Sequence, residues 1–339
     1  MARVMVMMSG GVDSSIAAAM LRDAGHDVTG VTLKLWGGES DSGCCSVADV
    51  EDARRVAAQL DVPHYVFNFA DAFEDNVVEP YVASYAAGET PNPCVECNRT
   101  MKFGRVLDRA RQLGFDAIAT GHHARVVTVD GAPALARAAD AAKDQSYVLY
   151  MLGPDILART MLPVGDLTKT EVRVRARALG LRTAEKRESM DVCFITRGGR
   201  GAFLGARIPR RAGVIVDAAG AVLGSHDGVD AFTIGQRRGL GVAAGERRYV
   251  VDISANDATV TVGTRAELAR DRVRVRDMLL SRRLPPRFLA QVRAHGTPSA
   301  ATLAGDTVVF AEPQARVAPG QVVAFYDGDV CCGGGVAAA

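Results

Sequence analysis

No uninterrupted apolar run in this chain approaches the roughly 18 residues that span a bilayer, and no stretch of about 7 to 15 apolar residues precedes a small-residue cleavage site. Neither a spanning helix nor a secretory leader is expected, and the protein reads as cytoplasmic. Lysine is missing from residues 196 to 295, which carry 18 arginines against 9 acidic residues. Such a stretch suits an anionic polymer, or simply a solvated arginine-rich surface. Repeats and low-complexity tracts are absent, and the terminal GGGVAAA reads as a tail that frays. Two phosphate-binding fingerprints are also missing. There is no G-x-x-x-x-G-K-[ST], whose lysine grips the β and γ phosphates, and no G-x-G-x-x-G.

Cysteine is sparse too. Seven, an odd number scattered over 339 residues, do not make a disulfide scaffold. Cys94 and Cys97 form a C-x-x-C, half of a zinc site, but no second pair follows at ligand spacing, and Cys44-Cys45 and Cys331-Cys332 are adjacent pairs poorly placed to chelate one ion. No metal site is expected from them. In a reducing compartment they are core fillers or reactive thiols, with Cys331 and Cys332 reading as core. Spacing alone does not say which thiols act.

A composition of 48% hydrophobic and 23% charged residues is that of an ordinary globular chain, long enough for two or three domains. To about residue 195, short apolar runs alternate with helix-period segments, the pattern of a parallel sheet with crossover helices. ARVMVMM reads as a strand, SSIAAAMLRDAG as a helix closed by Gly25, and HDVTGVTLKLW as the next strand. Ser46 and Asp49 stand at capping-box spacing before a helix that leads to the strand HYVFNF. DAIATGHHARVVTV reads as one further strand ending in an Asp130-Gly131 turn. Beyond about residue 200 helical periodicity fades, and AGVIVDAAGAVLGSHDG, AFTIGQRRGLGV, RRYVVDISANDATVTVGT and DTVVFAEPQARVAPGQVVAFYDG read as short β-rich runs. One or two small β modules follow, with a boundary near residues 265 to 272. The expected division is 1–198, 199–268 and 269–339.

The strand leading into Ser9-Gly10-Gly11-Val12-Asp13-Ser14-Ser15 and then into a helix gathers backbone N–H groups, hydroxyls and a helix N-terminus around one small concavity. That arrangement suits phosphate or pyrophosphate. A plain strand-turn-helix explains two glycines, but the full S-G-G-V-D-S string resembles the PP-loop of ATP pyrophosphatases. There ATP is cleaved between its α and β phosphates and the substrate is adenylylated. The resemblance puts Asp13 near the phosphates and a Mg²⁺.

Further motifs, GETPNPCVECNRTMKFG, ATGHHAR, KDQSYVLYML, ESMDVCFI, AFTIGQRRGLGV and PGQVVAFYDGDV, make the chain resemble the bacterial tRNA-specific 2-thiouridylase family nearly end to end. The resemblance implies a Rossmann-like PP-loop α/β domain, an adenine nucleotide α-hydrolase-like parallel sheet, followed by a small β-rich central module and a C-terminal β-barrel. It implies ATP-dependent thiolation of C2 of the wobble uridine of tRNA, with Cys193 as persulfide carrier and Cys97 as partner nucleophile, Cys94 standing as the alternative partner. A sulfur-relay or cysteine desulfurase protein is the implied donor. ATP contacts carry over to Met7, Met8, Ser9, Gly10, Gly11, Val12, Asp13 and Ser14, with Leu33 and Gly121 near the adenine or ribose. RNA contacts carry over to Asn92, Pro93, Cys94, His122, Lys143, Asp144, Gln145, Arg293 and Gln321. His123 and Ala294 stand where the family has tyrosine. The rival enzyme reading is a PP-loop ligase or amidotransferase acting on a small molecule, which needs neither the two thiols nor the basic β region. A non-catalytic RNA-binding protein that keeps the loop as a nucleotide sensor leaves Asp13, Cys97 and Cys193 unexplained.

Overall fold

The computed structural model describes residues 1–36, 46–187, 192–195, 199–242 and 246–339; Cys44 and Cys45 lie outside this set. In its first part the chain lays down β1 (Arg3–Met7), β2 (Asp27–Lys34), β3 (His64–Asn68) and β4 (Ala117–Ala119), then a hairpin of β5 (Ala124–Val129) and β6 (Ala132–Arg137), then the short β7 (Thr160–Met161). Val4, Met5 and Val6 are buried on both faces, as a central parallel strand requires, and the parallel sheet has the order β3-β2-β1-β4-β7. The helix Val12–Asp23 crosses from β1 to β2, and the helix Val47–Gln59 from β2 to β3. The second opens with the expected capping box: Ser46 Oγ accepts from the Asp49 N–H at 3.1 Å, and the Asp49 carboxylate accepts from the Ser46 N–H at 3.3 Å. The chain steps outward from β1 to β3 and returns on the other side of β1 for β4. Strand order therefore reverses between β1 and β4, and the crevice at their carboxyl ends is where an open α/β sheet binds ligand.

The run DAIATGHHARVVTV is two strands in two sheets. Ala117–Ala119 pairs with β1, the chain leaves the sheet over residues 120–123, and Ala124–Val129 pairs with β6. Its departure is set by Gly121, which packs directly on the backbone of Asp13 and Ser14. The Asp130-Gly131 turn is present, both residues at positive φ as this hairpin turn demands.

The central sheet holds β8 (Gly213–Val216), β9 (Val222–His226), β10 (Tyr249–Ser254) and β11 (Thr259–Gly263) in the order β10-β11-β8-β9. AFTIGQRRGLGV forms no strand. Its Phe232, Ile234 and Leu240 are buried in the core of this sheet while the intervening glycines turn the chain. The C-terminal part comprises β12 (Ala269–Leu280), β13 (Phe288–Gln291), β14 (Ser299–Ala304), β15 (Thr307–Ala315), β16 (Val322–Asp327) and β17 (Val330–Ala337). They run β12-β15-β14-β13-β16-β17, and β17 pairs back with β12, closing a six-stranded antiparallel barrel. On its outside, β17 meets the hairpin of the first part where Val330 pairs with Ala136. Among the described residues no helix is long and apolar enough to cross a membrane.

The glycines of GGGVAAA are not a frayed tail. They lie in β17 between two partner strands, and a Cβ on Gly334 would sit 2.5 Å from the Val323 carbonyl oxygen and 2.8 Å from the Tyr150 ring. Close approach explains a glycine run that composition alone reads as flexible. The adjacent Cys331 and Cys332 are core residues, and burial pushes the Cys331 thiol up to about 12, an unreactive value. Gly334→Val is expected to cost about 3 kcal/mol or more, visible as a lower denaturant midpoint for the barrel.

Candidate functional site

A cavity of about 340 Å³ opens at the β1/β4 switch point. Twelve residues expected at the site line it: Met7, Met8, Ser9, Gly11, Val12, Asp13, Ser14, Leu33, Gly121, His122, Lys143 and Gln145. Gly10 lies just behind them, at φ +71°, with its α-carbon against the Asp49 carbonyl. Ser14 Oγ closes the turn by accepting from the Ser9 N–H at 3.2 Å and donating to the Gly11 carbonyl at 3.1 Å. This leaves the first-turn N–H groups of the helix Val12–Asp23, which no intrahelical acceptor can use, facing the concavity. Thr32 fixes the turn from below, its hydroxyl donating to the Met8 carbonyl at 2.7 Å.

Asp13 is held from two sides. Lys169 Nζ donates to both carboxylate oxygens at 2.8 and 2.7 Å, and His123 Nε2 lies 3.1 Å from Oδ1. An ionised carboxylate only accepts, so Nε2 carries the proton. Burial pushes the Asp13 pKa up, but the bonds from His123 and Lys169 outweigh it, and the group stays below the usual carboxylate range. Lys169 is well placed for this work. It opens the helix Lys169–Ala178 behind a Thr168–Glu171 capping box, and its N–H is anchored on Asp140 Oδ2 at 2.9 Å. His122, beside the turn, stays neutral: burial, then the Lys102 charge, holds its pKa well below the ordinary value. Across the cavity Lys186 bonds Asp49 at 2.6 Å and Asp52 at 2.8 Å, pinning the start of the helix Val47–Gln59 to the rim.

His123, Lys102, Lys169 and Lys186 were not among the expected site residues. A signal for the lysines was present. The chain has 40 basic residues but only five lysines, Lys34, Lys102, Lys143, Lys169 and Lys186, and four of the five line this cavity. A compact, mobile ammonium and a rigid guanidinium fork are not equivalent ligands for phosphate, so lysine surviving here in an arginine-rich chain marks a site. The lysine of the P-loop fingerprint is absent from the turn, yet a lysine arrives from 156 residues downstream.

The remaining expected residues lie away from the cavity lining. Asn92 caps the helix Pro93–Glu96, its side chain accepting from the Cys94 N–H at 3.1 Å; Pro93 is buried and Cys94 exposed. The barrel pins this loop. The Thr90 N–H donates to the Pro319 carbonyl at 2.7 Å, Gln321 Nε2 donates to the Thr90 carbonyl, and Arg276 makes two 2.8 Å bonds to Glu89. Gln321 therefore spends its amide on the loop that carries Cys94. Arg293 is exposed just beyond β13, and Asp144 is buried. Cys97 begins a π-helical stretch, Cys97–Arg105, a geometry concentrated at functional sites. It is buried in the same hydrophobic cluster as Met7 and Leu33 from the cavity floor, and Cys193 packs on that cluster from a distant segment. Phe194 anchors that segment, its ring 5.2 Å from Tyr81 and 5.7 Å from Phe73.

An α/β sheet with its cavity at the switch point, a glycine-serine turn feeding a helix N-terminus and a ring of ammonium groups defines a nucleotide-binding domain, here bearing two β modules. Family models match in series: a tRNA methyl transferase HUP domain over residues 2–197, a tRNA methyl transferase PRC-barrel domain over 201–264 and an aminomethyltransferase beta-barrel domain over 270–337. A tRNA-specific 2-thiouridylase MnmA of Roseiflexus sp. (strain RS-1) is 46% identical, covering 99% of this chain and 99% of its own. The protein of the same name from Moorella thermoacetica is 47% identical over 98% of each, and that of Frankia casuarinae 49% identical over 98% of each. The chain belongs to the tRNA-specific 2-thiouridylase family. Among solved structures, a 4-thiouridine synthetase in complex with RNA and bound ATP is 17% identical with a TM-score of 0.37, covering 61% of this chain and 46% of that one.

Gly121→Ala tests the turn. A Cβ there would lie 2.5 Å from the Ser14 nitrogen and 2.6 Å from the Asp13 carbonyl carbon, so the loop must shift. Calorimetry should find ATP bound at least tenfold more weakly, about 1.4 kcal/mol, with the circular dichroism spectrum unchanged.

Proposed function

We propose that this protein uses ATP and Mg²⁺ to adenylate the C2 oxygen of the wobble uridine of tRNA, and then replaces that oxygen with sulfur carried by Cys193. The observation that supports it most is the lysine-ringed cavity sharing a hydrophobic cluster with two cysteine segments. Lys102, Lys143, Lys169, Lys186 and Arg187 suit a polyphosphate and would repel the sulfonium cation of a methyl donor. Family descriptions that speak of methyl transfer therefore fit this cavity less well than sulfur transfer.

The chemistry needs activation because the uridine C2 carbonyl is a poor electrophile and oxide does not leave. Attack of the C2 oxygen on the α-phosphorus expels pyrophosphate and makes that oxygen part of a leaving group. The turn and its helix N-terminus hold the pyrophosphate, and Lys169 is positioned to exchange Asp13 for phosphate when nucleotide arrives. Asp13 is the carboxylate that would hold a Mg²⁺, whose charge would offset that of the pyrophosphate. Sulfur transfer then balances as follows. The outer sulfur of a Cys193 persulfide adds at C2 and AMP leaves, giving a C2–S–S–Cys193 link. The Cys97 thiolate attacks the Cys193 sulfur, the S–S bond to the base breaks, and 2-thiouridine departs, leaving a Cys97–Cys193 disulfide. An external thiol reductant and a persulfide-delivering protein restore the enzyme, in the cytoplasm where thiols stay reduced.

In this scheme residues 1–198 form the catalytic domain, and 199–268 and 269–339 bind RNA, their arginines meeting phosphates while the splayed base enters the cavity. Asn92, Pro93, Cys94, His122, Lys143, Arg293 and Gln321 lie on or beneath the surface offered to the tRNA.

With purified protein, ATP, Mg²⁺ and a persulfide source, Cys193→Ser should abolish 2-thiouridine by nucleoside mass spectrometry while tRNA binding persists. Cys97→Ser in a single turnover should accumulate tRNA disulfide-linked to Cys193. Normal thiolation by Cys193→Ser would refute the persulfide role.

A further inference from the structure

Residues 143–146 alternate between two surfaces. Lys143 and Gln145 line the nucleotide cavity, while Asp144 and Ser146 are buried on the opposite side at 7% and 0% exposure. On that side they meet the barrel. Ser146 Oγ donates to Asp144 Oδ2 at 2.8 Å, and so accepts from the Tyr326 hydroxyl of β16, 3.0 Å away. Arg137, at the end of β6, donates to the same oxygen at 3.1 Å and lays its guanidinium over the Tyr326 ring, 3.8 Å from the centroid. Asp144 Oδ1 accepts from the Ala138 and Ser146 N–H groups at 2.9 and 3.2 Å. Tyr147 adds a second tie, its hydroxyl donating to the Val322 carbonyl at 2.8 Å.

On the cavity side Gln145 and His123 are joined twice. The His123 N–H donates to Gln145 Oε1 at 2.8 Å, and the Gln145 N–H to the His123 carbonyl at 2.8 Å. His123 in turn holds Asp13. Both Asp144 oxygens are thus committed inside the protein, which leaves a buried anion that organises donors and offers nothing to an RNA phosphate or base. Resting on the nucleotide reading above, we infer that Asp144 and Tyr326 are positioning residues through which the barrel sets Lys143, Gln145 and His123 against the nucleotide, so that Asp144 governs nucleotide affinity and makes no RNA contact.

The test measures binding of an ATP analogue with a non-cleavable α,β bridge by calorimetry, and of tRNA by filter retention, on the full chain. Tyr326→Phe keeps the ring and loses one bond, and should weaken the analogue roughly five- to tenfold, about 1 to 1.4 kcal/mol. Asp144→Asn should weaken it more than tenfold, and both variants should bind tRNA as the wild type does. If Asp144→Asn fails to fold, Ser146→Ala removes both the Tyr326 partner and a bond to Asp144, and should weaken the analogue at least as much as Tyr326→Phe. Arg282→Gln breaks another contact between hairpin and barrel, the 3.0 Å pair with Asp130, and should leave nucleotide affinity unchanged. Lost tRNA affinity with intact nucleotide affinity in Asp144→Asn would overturn the inference. So would a Tyr326→Phe protein that melts earlier but binds the analogue normally, or an Arg282→Gln protein weakened as much as Tyr326→Phe. A wild-type protein that does not bind the analogue would sink the nucleotide reading as well.

Discussion

The site depends on one charge balance, the Asp13 carboxylate held between the Lys169 ammonium and the His123 imidazole. These groups come from the first turn of the helix Val12–Asp23, the excursion after β4 and the helix Lys169–Ala178, so a single cluster ties together the segments that meet at the switch point. Without a partner, a largely buried carboxylate would be driven toward its neutral form; with two donors it stays ionised. An ionised Asp13 holds Lys169 at the cavity lining, where in the proposed reaction a polyphosphate would compete for it. The binding site is thereby built before its ligand arrives.

The C-terminal barrel is integrated with that site at two places. One is the loop carrying Cys94, clamped by Thr90, Gln321 and the Glu89–Arg276 pair. The other is the strip from Lys143 to Tyr147, bonded to β16 on one side and to His123 on the other. The barrel is thus in bonded contact with both the cysteine segment and the strip that lines the nucleotide cavity. The proposed reaction, which joins ATP, a base and a persulfide, would need three sites held in register, and both contacts would serve that need.

Much of this was legible in the sequence because it is written locally. The capping box at Ser46 and Asp49, the Gly25 stop, the Asp130-Gly131 turn and the Ser9–Ser14 loop each depend on residues a few positions apart, and each is found where its pattern stands. What escaped depends on approach from afar. Gly121 breaks an apparently continuous strand because the backbone of Ser14 lies against it, and GGG near the C-terminus is a closing strand because β16 and Tyr150 leave no room for side chains. His123 gave no local sign of its bond to Asp13, 110 residues away. The lysines were readable through scarcity, since four of five survive around one cavity. Asp144 sat in a motif whose alternation between two surfaces only packing discloses.

The central claim is that this cavity places AMP on the uridine oxygen. The direct measurement is a single turnover with tRNA whose wobble uridine carries ¹⁸O at C2, followed by mass spectrometry of the released nucleotides. The label should appear in AMP, one atom per 2-thiouridine formed. Label in pyrophosphate, orthophosphate or water, with AMP unlabelled, would contradict the account.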